Sequence, residues 1–373
     1  MATPELQFQI ALTMLPSIGP VTARKLISHF GSASAIFGAT PEQLSMFNRI
    51  GPLLSRYGRS AEVMDRAGKE MDFLVRHRIS ALYFEDARYP RRLNLCHDGP
   101  VLLYARGEQG INPARCLSVV GTRRATSYGK DLCRELVMGL ARLVPDLVVV
   151  SGLAFGIDVM AHRAALESGL LTVAVLGHGL STLYPASHRD TARRIIGQGA
   201  LVTDFDSQMG PERNNFLRRN RIIAGMADGT LVVESAEKGG ALITAAMASS
   251  YNRDVLAVPG RAGDRHSAGC NQLIRRNLAA LTQTPEDILR HLNWEMPEQP
   301  QTVPGVGLEM TIQEKKLLRS IESLPGIDPA SLSHLTGIPV QHVLALLLEM
   351  ELKDWVSVEP GNRYRTKVSL QEE

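Results

Sequence analysis

At 373 residues with 44% hydrophobic side chains, the chain is long enough for two or three domains with buried cores. Lys and Arg number 41 against 38 Asp and Glu, which excludes a uniformly basic nucleic-acid coat and requires any polyanion site to be a local cluster. Four scattered cysteines with no CxxC pair exclude a disulfide framework and a cysteine zinc site, so no metal ion and no cofactor is expected. The opening residues carry an acid where a secretion signal has Lys or Arg. No uncharged apolar run approaches the roughly 18–20 residues of a membrane helix. A soluble, cytoplasmic protein that makes no membrane contact is the expectation.

In chain order, residues 1–80 read as helical. Leu12 to Ile27 holds two apolar helical patterns joined at Pro16–Gly19. A glycine at that turn presents backbone N–H groups at the start of the next helix, which suits a phosphate. The segment resembles a helix-hairpin-helix (SAM-like) DNA module, although Pro20 removes one donor. A small packing bundle that never touches DNA is the other reading. A weaker second copy is expected around Phe47–Leu54.

Residues 81–294 alternate short apolar runs with helical patterns. The runs are Leu117–Val120, Leu147–Val150, Thr172–Leu176, Ala200–Thr203, Thr230–Val233 and Val255–Val258. Each is too short for a helix, continuously apolar, and followed by Gly or small polar residues. That pattern predicts parallel strands buried on both faces, in a Rossmann-like doubly wound α/β sheet. Residues 295–310, rich in Pro and Gly, read as a linker. Beyond it, helices are expected at Thr311–Leu324, Pro329–Leu335 and Val340–Met350. Strand patterns at Trp355–Val358 and Arg363–Thr366 then complete a winged-helix domain over 311–373.

Ligands of open α/β sheets bind beyond the carboxyl ends of the strands. The residues there are Gly121 to Lys130 after the first strand, Ser151 to Asp158 after the second, and Gly177-His178-Gly179 with Tyr184-Pro185 after the third. Glycines and helix N-termini gathered at one sheet edge favour a phosphate ligand. The dinucleotide fingerprint is missing. A P-loop is excluded because Asp131 stands where Ser or Thr binds magnesium. A nucleophile elbow at Ser151 fails because Val149 replaces its first glycine. Asp158 and His162, one turn apart, read as capping or buried hydrogen-bonding groups.

The local basic cluster is Arg213-Asn-Asn-Phe216-Leu-Arg218-Arg219-Asn220-Arg221, with Glu212 as its nearest acid. Arginines grip phosphates and stack on bases, and an aromatic among them accepts any base. From Glu309 onward, seven Lys and Arg face ten Asp and Glu. The candidate recognition helix there has no Lys or Arg, so only Arg363, Arg365 and Lys367 around the wing suit phosphates. A protein-interaction or accessory role is favoured for that domain.

Val120-Gly-Thr-Arg123, Ser151 to His162, Ala174 to Gly179, Phe216 to Gly225, Val232-Val-Glu234, Leu242 to Ala245, Ala257-Val-Pro-Gly260 and Gly269 to Ile274 occur in the order seen in DNA-processing protein A. The chain resembles that DprA/Smf family across its central domain. The resemblance implies a non-catalytic protein that binds single-stranded DNA in a basic pocket and forms a homodimer through the Rossmann-like domain. It also implies loading of the RecA recombinase during natural transformation. Carried onto this sequence, Arg123 clamps a backbone phosphate beside Gly121, Thr122, Ser151, Gly152 and Gly156. Arg219, Asn220 and Arg221 line the same groove, and Phe216 stacks. Arg213 and Arg218 join the set on charge and proximity. Phe155 stands where the family carries Arg, and Leu217 where it carries Pro. The alternative is a nucleotide-monophosphate phosphoribohydrolase on a related sheet, but Pro259–Asp264 lacks a glycine and the glutamate of that group's loop.

Overall fold

The computed structural model describes residues 4–47, 50–57, 60–295, 311–353, 355–359 and 361–366. The chain divides into two compact units, Met1–Glu295 and Met296–Glu373. The expected linker lies, beyond Glu295, outside the described residues.

Six helices open the larger unit: α1 (Pro4–Met14), α2 (Pro20–Phe30), α3 (Ala33–Gly38), α4 (Pro41–Ser45), α5 (Gly51–Tyr57) and α6 (Ala61–His77). Pro20 occupies the first turn of α2, where a missing N–H leaves no bond unmade. Gly31 ends that helix in the left-handed region (φ 85°) and returns its N–H to Ile27 O. Ser32 caps α3, and Thr40 with Gln43 forms a reciprocal capping box on α4. The expected joint at Pro16–Gly19 separates α1 from α2. Part of the second copy, at residues 48–49, falls outside the described residues. The bundle has no private core: Ile10, Leu12, Leu26 and Ile36 share one apolar cluster with Leu102 and Tyr104 of the sheet.

The sheet begins with β1 (Ser80–Tyr83), α7 (Arg91–Asn94), β2 (Leu102–Arg106), β3 (Arg115–Val120), α8 (Ser127–Leu143) and β4 (Leu147–Ser151). It continues through α9 (Ile157–Glu167), β5 (Leu171–Val175), α10 (Arg189–Gly197), β6 (Gly199–Thr203), α11 (Arg213–Met226) and β7 (Gly229–Val232). It ends with α12 (Gly240–Ser250), β8 (Asp254–Ala257), α13 (Ala268–Arg275), β9 (Ala280–Leu281) and α14 (Pro285–His291). Nine strands run in the order β1-β2-β6-β5-β4-β3-β7-β8-β9. The six runs read from sequence are β3 to β8, mutually parallel, with Leu117 opposite Val149 on one side and Gly229 on the other. The sequence reading lacked β1, β2 and β9. The first two are antiparallel additions at one edge, where β2 pairs with both β1 and β6.

Side chains alternate between two faces. Leu117, Val119, Val149 and Leu231 pack under α8, α9 and α14, whereas Val120, Val150, Val175 and Val232 pack under α11, α12 and α13. From β3 the chain winds outward to β6, then returns along α11 to place β7 on the other side of β3. The order therefore reverses between β3 and β7, and a crevice opens there beyond the strand ends.

The smaller unit packs α15 (Ile312–Ser323), α16 (Pro329–Thr336) and α17 (Val340–Leu352) with a hairpin of β10 (Val356–Glu359) and β11 (Arg363–Thr366). Leu317, Ile321, Leu332, Val343, Leu347 and Trp355 form its core. Thr311 and Glu314 box the start of α15, and Gly337 (φ 70°) turns α16 into α17. This is a winged-helix arrangement. Lys367 lies outside the described residues. Among the described residues no single helix is long and apolar enough to cross a membrane, and no three potential metal ligands cluster.

Candidate nucleic-acid interface

The loop after β3 is fastened from below. Thr122 N–H donates to Glu234 O at 2.7 Å, and Thr122 O accepts from Ile157 N–H. The buried Glu234 carboxylate takes the Thr126 N–H at 2.9 Å and its hydroxyl at 2.6 Å, at the start of α8. Gly129 is required by this arrangement, because a Cβ there would sit 2.8 Å from the Glu234 carboxyl carbon.

The loop after β4 is packed as tightly. Ser151 Oγ–H donates to Val119 O at 2.6 Å, wholly inside the sheet. A Cβ on Gly152 would meet the Arg219 guanidinium at 2.0 Å, and Gly156 (φ 77°) presses against Thr122 O. Asp158, buried at the start of α9, accepts backbone N–H groups of Gly152 and Ala154. Burial pushes its carboxyl above the usual range, opposed by the nearby Arg219 cation and those N–H groups. Burial likewise lowers Arg219 to about 10, with Asp158 pulling the other way, so the guanidinium stays protonated near neutrality. Arg219 also donates to Val175 O.

These contacts revise the expectation drawn from the glycines. Gly152 faces Arg219 and Gly156 faces Thr122 O, so these two glycines admit protein atoms rather than a ligand, while Gly121 is set against Ile157 and also lines open space. The N-termini of α8 and α9 already hold carboxylates of this chain, Glu234 and Asp158. His162 has the buried hydrogen-bonding role expected of it. Its Nδ1 lies 2.7 Å from Thr172 Oγ1, whose own hydrogen goes to Val149 O. Nδ1 therefore carries the proton. Burial holds the ring neutral, at about 3.

In the crevice between β3 and β7 lies a cavity of about 260 Å³. Gly121, Thr122 and Arg123 wall one side, and Arg213, Phe216 and Asn220 of α11 wall another, with Arg219 beneath. The Gly239–Ala241 segment at the start of α12 closes the third side. The Arg123 guanidinium lies 5.0 Å over the Phe216 ring. Phe216 rests on Gly177, where a Cβ would approach within 2.8 Å, and its ring centroid is 5.7 Å from that of Tyr184. Phe155 leans on His188, with 5.0 Å between centroids. Phe155 and Tyr184 are 45% and 44% exposed, so the rim carries open aromatic surface. Arg123 and Arg213 are exposed and have no carboxylate partner among the described residues.

Five predicted residues do not line this cavity. Ser151, Gly152 and Gly156 are packed inside the protein as described. Arg221 donates to Asp98 O and to the Asp204 carboxylate, in an ion pair whose side chains are 9% and 6% exposed. Arg218 lies over Phe205 at 5.1 Å, away from the crevice. At about 100° per residue, positions 213, 216, 217 and 220 share a face and 218 points away from it, while 219 and 221 flank that face on opposite sides. Applied to α11, that wheel singles out Arg218 from sequence, but only the fold shows that Arg219 lines the cavity while Arg221 turns to Asp204. Tyr184, read at a strand end but not among the site residues, and the α12 start, not read there at all, join Phe216 and the cavity only through the fold.

A family model described as DNA recombination-mediator protein A matches residues 80–293. A second, a SAM-like helix-hairpin-helix tandem, matches residues 9–52, the region holding both expected copies. Protein Smf of Escherichia coli K12 is 35% identical over 286 residues, covering 75% of each chain. The X-ray structure of DNA processing protein A from Streptococcus pneumoniae superposes with a TM-score of 0.65 at 27% identity, covering 80% of this chain and 99% of that one. The Helicobacter pylori DNA processing protein A, described for its single-stranded DNA binding mode, shares the fold with a TM-score of 0.53 at 24% identity. It covers 59% of this chain and 97% of its own. With its central sheet, its helical N-terminal segment and most of its length matched, this chain belongs to the DNA recombination-mediator protein A family.

Proposed function

We propose that this protein binds single-stranded DNA along the β3–β7 crevice, as a homodimer, and loads a RecA recombinase onto that strand during natural transformation. The observation that carries the reading is Arg123 laid over Phe216, with Tyr184 beside it and Arg213 opposite. Tyr184, 44% exposed beside Phe216, offers its face only to a base that has left its own stack, which a single strand supplies and a duplex does not. Unpaired arginines at the rim take the backbone phosphates. A cavity of about 260 Å³ suits one nucleotide unit rather than a double helix. The described binding mode of the Helicobacter pylori relative supports the same ligand. The Pro259–Asp264 loop, where related phosphoribohydrolases carry their catalytic motif, contributes no residue to the cavity lining. We therefore read the site as binding rather than hydrolytic.

The test is fluorescence anisotropy of labelled oligo(dT) and of a duplex, titrated across salt. Single-strand binding with a steep salt dependence is expected. Arg123→Ala should weaken it roughly 10- to 100-fold and flatten the logarithmic salt slope by about 0.7. Phe216→Ala should weaken it by about 1–3 kcal/mol. Unchanged affinity in both variants overturns the assignment. Strand exchange on DNA coated with a single-strand binder tests the loading step, and light scattering of the eluting protein tests the dimer.

A further inference from the structure

A second cavity, of about 600 Å³, lies on the α10 side of the sheet and shares no residue with the crevice. Helix α10 packs on β5 and β6 through Ala192 and Ile195, in a cluster that includes Leu176 and Leu201. Leu180 and Leu183 pack on this cluster beside Ile196, and the three half-buried side chains line an aliphatic hollow over Leu176, Ala192 and Leu201. Three arginines ring it: Arg106 at the end of β2, and Arg189 and Arg193 one turn apart on α10. All three are exposed. None has an ion pair or side-chain hydrogen bond among the described residues, and no acid lines the hollow.

Three like charges around an aliphatic floor repel one another without internal compensation, and an anionic partner relieves that. The floor has no aromatic ring on which a base would stack, so a nucleic acid gains little there beyond charge. A bulky apolar side chain gains the whole floor.

We infer that this hollow docks an acidic peptide segment that carries a bulky aliphatic or aromatic side chain. The apolar side chain seats on Leu180, Leu183 and Ile196, and the flanking carboxylates meet the forks of Arg106, Arg189 and Arg193. The site gives the protein a contact for a protein partner that leaves the DNA crevice free.

The probe is a short fluorescein-labelled peptide with a Leu-Phe pair flanked by aspartates, titrated by anisotropy against the full-length protein. Saturable binding is expected, weakened roughly tenfold or more in Arg106→Ala/Arg193→Ala and in Arg193→Glu. Both variants change exposed side chains, and each should keep the wild-type melting temperature and oligo(dT) affinity. A peptide with Ala in place of Leu-Phe should bind roughly tenfold more weakly, as should one with Lys in place of the aspartates. Three results overturn the inference: no binding of the probe, equal binding of the Ala-substituted peptide, or competitive displacement of the probe by oligo(dT). The last would make the hollow part of the nucleic-acid path.

Discussion

Arg221 is where the sequence pattern and the folded chain disagree most sharply, and Arg221→Met separates them. The guanidinium is spent on the Asp204 carboxylate and on Asp98 O, outside the cavity lining. The two side chains are 9% and 6% exposed, Arg221 donates to Asp204 Oδ2, and Asp204 Oδ1 is buried without a hydrogen-bond partner among the described residues. Removing the cation strands a buried carboxylate, which costs about 3–5 kcal/mol. Replacing both partners, in Arg221→Met/Asp204→Leu, removes the stranded charge and should restore most of that loss. The chain has two tryptophans, Trp294 in the larger unit and Trp355 in the core of the smaller one. In a Trp355→Phe background, Trp294 fluorescence therefore follows urea unfolding of the larger unit alone. With a urea slope of about 3 kcal/mol/M, the midpoint of Arg221→Met should fall by about 1–2 M. Oligo(dT) affinity, measured well below that midpoint, should stay within about threefold of wild type. A variant that keeps its midpoint and loses DNA affinity instead would refute the internal assignment and return Arg221 to the binding surface.

Tyr184→Ala should weaken oligo(dT) binding by about 1–3 kcal/mol with a nearly unchanged salt slope, because it removes a stacking face and no charge; a changed slope would place phosphate near that ring. Gly156→Ala should lower the stability of the larger unit by about 3 kcal/mol in the same urea assay, since its φ of 77° disfavours a side chain and the new Cβ would stand 2.1 Å from Thr122 O. His162, ordinarily near 6.5 and held at about 3 by burial, stays neutral in the fold while the unfolded chain takes a proton. Its contribution is therefore fully present above pH 6.5 and lost at about 1.4 kcal/mol per unit as pH falls towards 3, so His162→Asn should flatten the acid limb of the stability curve, and an unaltered limb would show that another group governs it.

The strands β3 to β8 were legible because burial on both faces writes them as unbroken apolar runs. Strand β1 was not, because Ser80–Tyr83 is mostly half-buried and short, and β9 has only two residues. The antiparallel pairing of β2 is a tertiary fact with no local signature. In the site, the cation and aromatic content of α11 was visible, and Arg123 could be placed at a strand end. The outward direction of Arg218 was also in the sequence, once α11 is turned at about 100° per residue, but only the fold tells Arg219 from Arg221. What the sequence could not carry is the partner of each glycine. A missing Cβ reads the same whether the space is filled by a phosphate, by Ile157, or by the Arg219 guanidinium.

That difference bears on the kind of binding the site supports. A helix N-terminus left open at the end of a strand makes a focused phosphate pocket, of the sort that selects one nucleotide cofactor. Here Glu234 closes the N-terminus of α8, Asp158 takes N–H groups of the loop before α9, and the Arg219 cation lies near Asp158 beneath the floor. The free charge left in the crevice sits on long, exposed side chains, Arg123 and Arg213, beside aromatic rings. Such groups hold a backbone by several modest, salt-sensitive contacts, and bases by stacking that does not read their identity. A chain with near-neutral overall charge thus needs no dedicated nucleotide pocket to grip a strand of any sequence.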